Sequence, residues 1–480
     1  MRTYYRSISC FMLLSALIVW CGAQAQVTTF QKIYPSAVEQ SGRDGLPTSD
    51  GGYILIGMTG NVPNPWDTSV YIIKTNSVGD TVWTRTYGGY NPDYPYSIIE
   101  TYDGNYFVLG FTESFGAGSY DVWLLKINGS GDTLWTRTYG DAGDDQGKEI
   151  IPTSDGNYMI VGRSYGSGTA YYDAFLMKIT PSGNVIWKKY YGGAQYETGR
   201  SVKQCPDGGY VFVGHTLSYG AGGGDVYLVR TNSTGDTLWT RTFGGPMVDD
   251  GNSIVANADG SFTFTAETNS FGAGQMDVQV MKTDANGSVV WNKIYGGDKK
   301  DVSKTIRPTF DGGYIVGCIS RSFGWINPDM WLLKLNALGD TVWTRHYGLW
   351  DHEHCHAARQ TPDGGFIAIG HTKSYSPNKR FMFLKLDLVG STTSVGEYAL
   401  AAVFKAYPNP ASEDVTVEVS DLMEPAMFRI SNALGQVVYS EPIDPGIHEK
   451  TLDLRAHEPG IYFLTLETGS GLTTRKLVIR

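Results

Sequence analysis

Apolar residues in this chain cluster in short runs bounded by Gly, Asp and Ser, and no segment keeps the 3.6-residue spacing of an amphipathic helix. Four such runs follow one another in a fixed order. Residues 148–151, 158–161, 174–177 and 185–188 are one instance, and the pattern predicts four short strands, A to D. The order returns every 52 residues, marked in strand D by Trp83, Trp135, Trp187, Trp239, Trp291 and Trp343. A second marker, Asp-Gly, precedes strand B at Asp50, Asp103, Asp155, Asp207, Asp259, Asp311 and Asp363 and extends the count to seven units.

Seven units of four antiparallel strands predict an all-β fold, a seven-bladed β-propeller; an open solenoid is the alternative. The chain ends separate the two. The seventh unit lacks its strand D after Gly390, whereas residues 30–34 resemble that strand, with Phe30 in the place of Trp. An N-terminal strand that completes the last blade closes a ring, and a solenoid has no use for it. The A-to-B and C-to-D turns are then short and share one face. The D-to-A crossings and the longer B-to-C loops share the other, which is the first place to look for binding.

A residue type present in every unit serves the blade, and a binding site needs an asymmetric set. A basic residue stands two after each Trp or its substitute, from Lys32 and Arg85 to Arg345, and an acid follows eight later at Asp93, Asp145, Glu197, Asp249, Asp301 and Glu353. The acids are either a ring at the channel mouth that collects a cation or blade-edge residues paired with cations and backbone amides, and their recurrence favours pairing. Cys205, Cys318 and Cys355 align with small residues or threonine, which argues for structural roles. The rings of the B-to-C loops, Phe115, Tyr165, Tyr219, Phe271, Phe323 and Tyr375, suit stacking on sugar or, more simply, anchoring of a Gly-rich loop.

The pattern fails in three blades. Blade one has Pro63-Asn64-Pro65-Trp66, blade six has Trp325-Ile326-Asn327-Pro328, and blade seven has Trp350-Asp351-His352-Glu353-His354-Cys355-His356. Trp66, Trp325 and Trp350 are therefore the candidate ligand-binding residues. His352, His354 and His356 alternate, so an extended segment points them to one side, where imidazoles could hold zinc, with His371 or His215 as further donors. No catalytic residue is assigned, since no nucleophile and base stand together.

Composition narrows the partners. A net charge of -10 argues against nucleic acid, whose phosphates need a basic surface. Arg2 and Arg6, an apolar run over residues 11–20 and Ala23-Gln24-Ala25 read as a signal peptide over 1–25. Bulky Trp20 before Cys21 counts against a lipoprotein. No later stretch is long and apolar enough for a membrane helix.

Behind the repeat (27–388) and a linker (389–405), residues 406–480 show strand-like runs that suggest a small β-sandwich. Tyr407-Pro408-Asn409-Pro410, Ser431-Asn432-Ala433-Leu434-Gly435-Gln436, Pro459-Gly460-Ile461-Tyr462 and Lys476-Leu477-Val478-Ile479-Arg480 occur there in order. This segment resembles the type A sorting domain of the type IX secretion system. The resemblance implies Sec export, a partner in the type IX machinery, and release from the cell or attachment to its surface, with Tyr407, Pro408, Asn409, Pro410, Gly460, Tyr462 and Lys476 in the sorting motif. The repeat resembles uncharacterised repeats of secreted bacterial propellers and is faintly similar to the tryptophan-docking motif of quinoproteins, without their cofactor pocket; sialidase Asp-boxes are absent. The expectation is an exported, non-catalytic propeller that binds a glycan or a protein on its looped face and needs no cofactor. The alternative is an extracellular polysaccharide-acting enzyme with carboxylates such as Asp249 and Glu353, or a blade-seven metal.

Overall fold

Each of the first six 52-residue units folds into one four-stranded antiparallel meander, its short apolar runs forming the strands and its Gly, Asp and Ser clusters the turns. The computed structural model describes residues 27–60, 68–166, 170–323, 327–349, 351–376, 378–392, 403–420, 426–432, 437–443, 449–455, 457–468 and 471–480. The expected signal segment 1–25, most of the expected linker 389–405, and Trp66, Trp325 and Trp350 lie outside these residues. Among the described residues there is no helix, and sheets one to six run over 40–87, 93–139, 145–191, 197–243, 249–295 and 301–347.

Sheet seven takes strands A to C from Glu353–Gln360, Phe366–Thr372 and Arg380–Leu386, and its fourth strand from Phe30–Ile33. Phe30 pairs with Lys385 and Ile33 with Met382, and the Tyr34 amide donates to the Phe381 carbonyl at 3.0 Å, so the pairing expected from the sequence is present.

Consecutive sheets share hydrophobic cores. Leu46, Ile54 and Ile72 of sheet one meet Ile98, Val108 and Trp123 of sheet two, and equivalent cores join each sheet to the next. A further core joins sheet seven to sheet one through Phe30, Tyr34, Ile369, Phe381 and Phe383 against Tyr53, Leu55 and Ile73. The strand D aromatics reach across these seams. Trp83 lies against Gly131, Trp135 against Gly183 and Trp343 against Gly390, and Phe30 lies in the same way against Gly79. Tyr34 donates to the Gly79 carbonyl at 3.0 Å, as Tyr139 does to Gly183 at 2.8 Å.

The Asp-Gly marker has a second task beyond the turn. Gly51 and its six counterparts hold φ near +80°, which glycine adopts at no steric cost. The aspartate before each reaches a cation of strand C, as Asp50 reaches Lys74 at 2.7 Å, Asp207 Arg230 at 2.5 Å and Asp363 Lys385 at 2.8 Å.

In the C-terminal segment, a three-stranded sheet (Val403–Tyr407, Asp414–Ser420, Glu449–Asp453) and a four-stranded sheet (Val437–Ile443, Ala426–Asn432, Gly460–Thr468, Gly471–Ile479) enclose one core. Val415, Val417 and Leu452 from the first meet Phe428, Ile430, Leu464, Leu466 and Leu477 from the second.

Candidate functional site: a cavity lined by bulge residues

In every sheet the pairing of strands A and B slips by one residue near the start of strand A. The skipped residues are Arg43, Tyr96, Lys148, Arg200, Asn252, Lys304 and His356. A bulge re-aims its extra side chain, and all seven line a single cavity of about 640 Å³. Lys300 from a D-to-A crossing and Arg321 and Pro328 from a B-to-C loop join the lining, so the cavity faces the looped side that the sequence pointed to.

These positions break the symmetry. The residue before each bulge is small throughout, Gly42, Pro95, Gly147, Gly199, Gly251, Ser303 and Cys355, because it packs on the neighbouring sheet. At Gly199, an added Cβ would sit 2.4 Å from Val161 Cγ2. The bulge residue itself differs from unit to unit. Uniform packing positions and varied cavity-lining positions thus lie side by side in the same strand.

At depth the cavity ends in an ion cluster. Glu149 of sheet three takes Lys203 of sheet four at 2.7 Å and Arg307 of sheet six at 3.3 Å, and accepts from the Ser201 hydroxyl and the Val202 amide, each at 2.8 Å. Burial pushes the Glu149 carboxyl up, but Lys203 and Arg307 hold it below its ordinary value. Asp44 pairs with Arg359 at 2.6 Å.

Two histidines of sheet seven, His354 and His356, line the cavity, and a third, His371, is buried beside them. His354 and His356 come from strand A and His371 lies opposite His354 on strand B, and the three offer nitrogens within 4.8 Å of one another. The trio expected from alternation was His352, His354 and His356. His352 precedes the strand and pairs with Asp351 on the crossing, and His371 stands in its place. All three imidazoles are held neutral. Burial leads in each case, with Lys304 and Arg43 acting on His354 and His356, and His354 falls to about 4.

Neutral rings suit a metal, but Arg43 opposes one. Its Nη1 lies 3.2 Å from His356 Nδ1, and a guanidinium only donates, so Nδ1 accepts and the His356 proton sits on Nε2. A cation at Nε2 would force that proton onto Nδ1, donor against donor with Arg43, and one at Nδ1 would have to displace Arg43.

The repeated acids lie elsewhere. Asp93, Asp145, Glu197, Asp249, Asp301 and Glu353 are all buried and none lines the cavity. They hold the loops: Asp249 takes the Gly245 amide at 2.8 Å and the Ser270 hydroxyl at 2.6 Å, and Glu353 takes the Leu349 amide at 3.2 Å and the Thr372 hydroxyl. A second buried acid opens strand C. Asp277 accepts from the Ala273 and Gly274 amides at 2.9 and 3.1 Å, and Gly272, at φ +113°, leaves room where a Cβ would meet Asp277 Oδ2 at 1.9 Å.

Of the loop rings, Phe115, Tyr165, Tyr219 and Phe271 are half-exposed; Phe115 leans on Trp123 of strand C with centroids 5.7 Å apart, Tyr219 stacks on Tyr227 at 5.9 Å, and the Tyr375 hydroxyl accepts from Gln31 Nε2 at 3.1 Å. Cys205, Cys318 and Cys355 are buried free thiols, with Cys355 pushed up to about 12 by burial, so they are poor nucleophiles.

The sorting-motif residues come together although up to seventy positions separate them. Asn409 Nδ2 donates to the Lys476 carbonyl at 2.7 Å, and the Val478 amide donates to Asn409 Oδ1 at 2.9 Å. Gly460 pairs with Ile479, and the Tyr462 hydroxyl donates to the Glu458 carbonyl at 2.9 Å. Tyr407, Pro408 and Pro410 flank Asn409 on the entering segment.

Residues 405–480 match the family model of the secretion system C-terminal sorting domain. Among curated proteins, none matches the chain. Solved structures with a similar course include the β-propeller domain of the Trilobed protease from Pyrococcus furiosus (10% identity, 77% of this chain and 98% of that one, TM-score 0.41). Others are a polysaccharide lyase (10% identity, 76% and 91%, TM-score 0.45) and YCF48 bound to D1 peptide (8% identity, 75% and 97%, TM-score 0.44). The chain is thus a body of repeated four-stranded β-sheets followed by a segment that matches the secretion system C-terminal sorting domain.

Proposed function

We propose that this protein is an exported, non-catalytic binding module: a closed seven-bladed propeller whose cavity receives a ligand on the looped face. The separation of uniform from varied columns carries the reading. Acids, Asp-Gly turns and strand D aromatics recur unit after unit and are used up in packing and loop clamping, whereas the bulge column varies and converges on one cavity. Closure is supported by the strand Phe30–Ile33 on sheet seven and by the shared core of sheets seven and one.

Export follows from the sorting segment, with Sec translocation by 1–25 and passage through the type IX machinery to the medium or the cell surface. In this reading 27–388 is the propeller, 389–405 a linker and 406–480 the sorting domain. The glycosidase alternative loses its candidate acids, since Asp249 and Glu353 are buried and engaged with their own loops. Zinc at His354, His356 and His371 is a separate proposal, which the Arg43 contact disfavours.

The full-length mature protein should bind ligand without turning it over. A glycan array, followed by product analysis on every hit, tests this: cleavage of a bound glycan overturns the reading.

A further inference from the structure

The cavity is far more basic than the molecule. Eight cationic side chains line it against three carboxylates, Asp44, Glu149 and Glu267, in a chain of net charge -10. All three carboxylates are already committed, Asp44 to Arg359, Glu149 to Lys203 and Arg307, and Glu267 to Lys304 at 3.0 Å. Arg200 has Asp250 at 2.5 Å. Arg43, Lys148 and Arg163 have no carboxylate partner among the described residues.

What surrounds these three is aromatic or neutral. Lys148 Nζ lies 3.9 Å from the centroid of Tyr96 and donates to Gln146 Oε1 at 2.9 Å. The Arg163 guanidinium lies 4.5 Å from the centroid of Tyr172 and donates to the Tyr196 hydroxyl at 2.5 Å, while its Nε is buried with no acceptor. Arg43 rests on His356 Nδ1. Rings, a neutral amide and a neutral imidazole stabilise cations less than a carboxylate does, so the group carries positive charge that no carboxylate compensates, on side chains that are partly buried.

Two shifts agree with this geometry. Burial pushes Lys148 down to about 8. Burial also pushes the Tyr96 phenol up, yet Lys148, Arg43 and Arg163 together pull it below its ordinary value, so all three cations act on one spot.

We propose that Arg43, Lys148 and Arg163 form a cradle beside Tyr96 for the anionic group of a carboxylate- or sulfate-bearing oligosaccharide. This deepens the binding-module reading and rests on it. An anion there supplies the missing counter-charge and the acceptor that Arg163 Nε lacks. The cavity suits a small ligand or a chain end, not a folded partner. Lys300 and Arg321, exposed at the rim, draw an acidic chain inward.

Calorimetric titration of the full-length mature protein with a galacturonate trimer, a sulfated galactose trimer and the neutral galactose trimer tests the proposal, with inorganic sulfate as competitor. One or both acidic trimers should bind, sulfate should compete, and the neutral trimer should be silent. Lys148→Gln and Arg163→Gln should each weaken binding about tenfold or more, while Arg85→Gln on the outer strand of sheet one should not. Near-ultraviolet circular dichroism and melting of each variant separate a lost contact from a lost fold. Equal affinity for neutral and acidic trimers, or an affinity indifferent to Lys148→Gln, overturns the anion cradle and leaves the binding module standing. Silence from all three trimers also overturns it. Cleavage of a bound acidic trimer leaves the cradle standing and overturns the non-catalytic reading.

Discussion

His354 shows how the cavity governs single residues. Burial, His352, Lys304, Lys379 and Arg43 all act to hold its imidazole neutral, and its folded value near 4 lies below the unfolded value of 6.5. The unfolded chain therefore binds the proton first, and stability is complete above about pH 6.5 and is lost as pH falls toward 4. His356 and His371 shift the same way and add to the effect. Urea unfolding at pH 7.5 and pH 5 should show the loss, and His354→Gln should flatten it by about 2 kcal/mol. A pH-independent midpoint would mean that the imidazoles are not held neutral. The same trio gives a metal prediction. Purified protein should carry no stoichiometric zinc, and one equivalent that disappears in His356→Ala would be the contrary result.

At the scale of elements, the sensitive strand is Phe30–Ile33, which joins the far end of the repeat to sheet seven. Phe30 is buried, with ring centroids 5.2 Å from Phe383 and 6.1 Å from Tyr53. Phe30→Ala should cost about 3–5 kcal/mol in urea unfolding. Phe30→Trp, which restores the residue used by the other six units, should cost less. Trp83, only half-buried, should lose less than Phe30 on truncation to alanine. Much of this was legible in the chain, because short apolar runs between turn residues and a 52-residue step fix strands and units, and Phe30 followed by Tyr34 announces the missing strand. The bulge was not. A column reading Arg43, Tyr96, Lys148, Arg200, Asn252, Lys304 and His356 looks like exposed surface in a sequence, since variation there and variation on a solvent face are alike. Only the slipped register sends it inward. For the same reason strict alternation chose His352, whereas the start of the strand at Glu353 and the cross-strand neighbour His371 decide the grouping.

For the whole molecule, the proposed function gives the sorting segment and the body separate tasks. The segment has its own core, and Asn409 ties its entrance to the final strand. Removal of 405–480 should leave ligand binding intact and strand the body in the periplasm, read by cell fractionation and immunoblot. Export of the truncated chain at the full-length level would show that the segment is dispensable. The slipped residue in each sheet has a further consequence. Because these seven side chains stand outside the cross-strand ladder, a substitution at one changes the cavity wall without touching the pairing that builds the sheet. On the proposed binding role, specificity is open to change one position at a time, so that relatives with the same repeat and a different column would select different ligands on an unaltered frame.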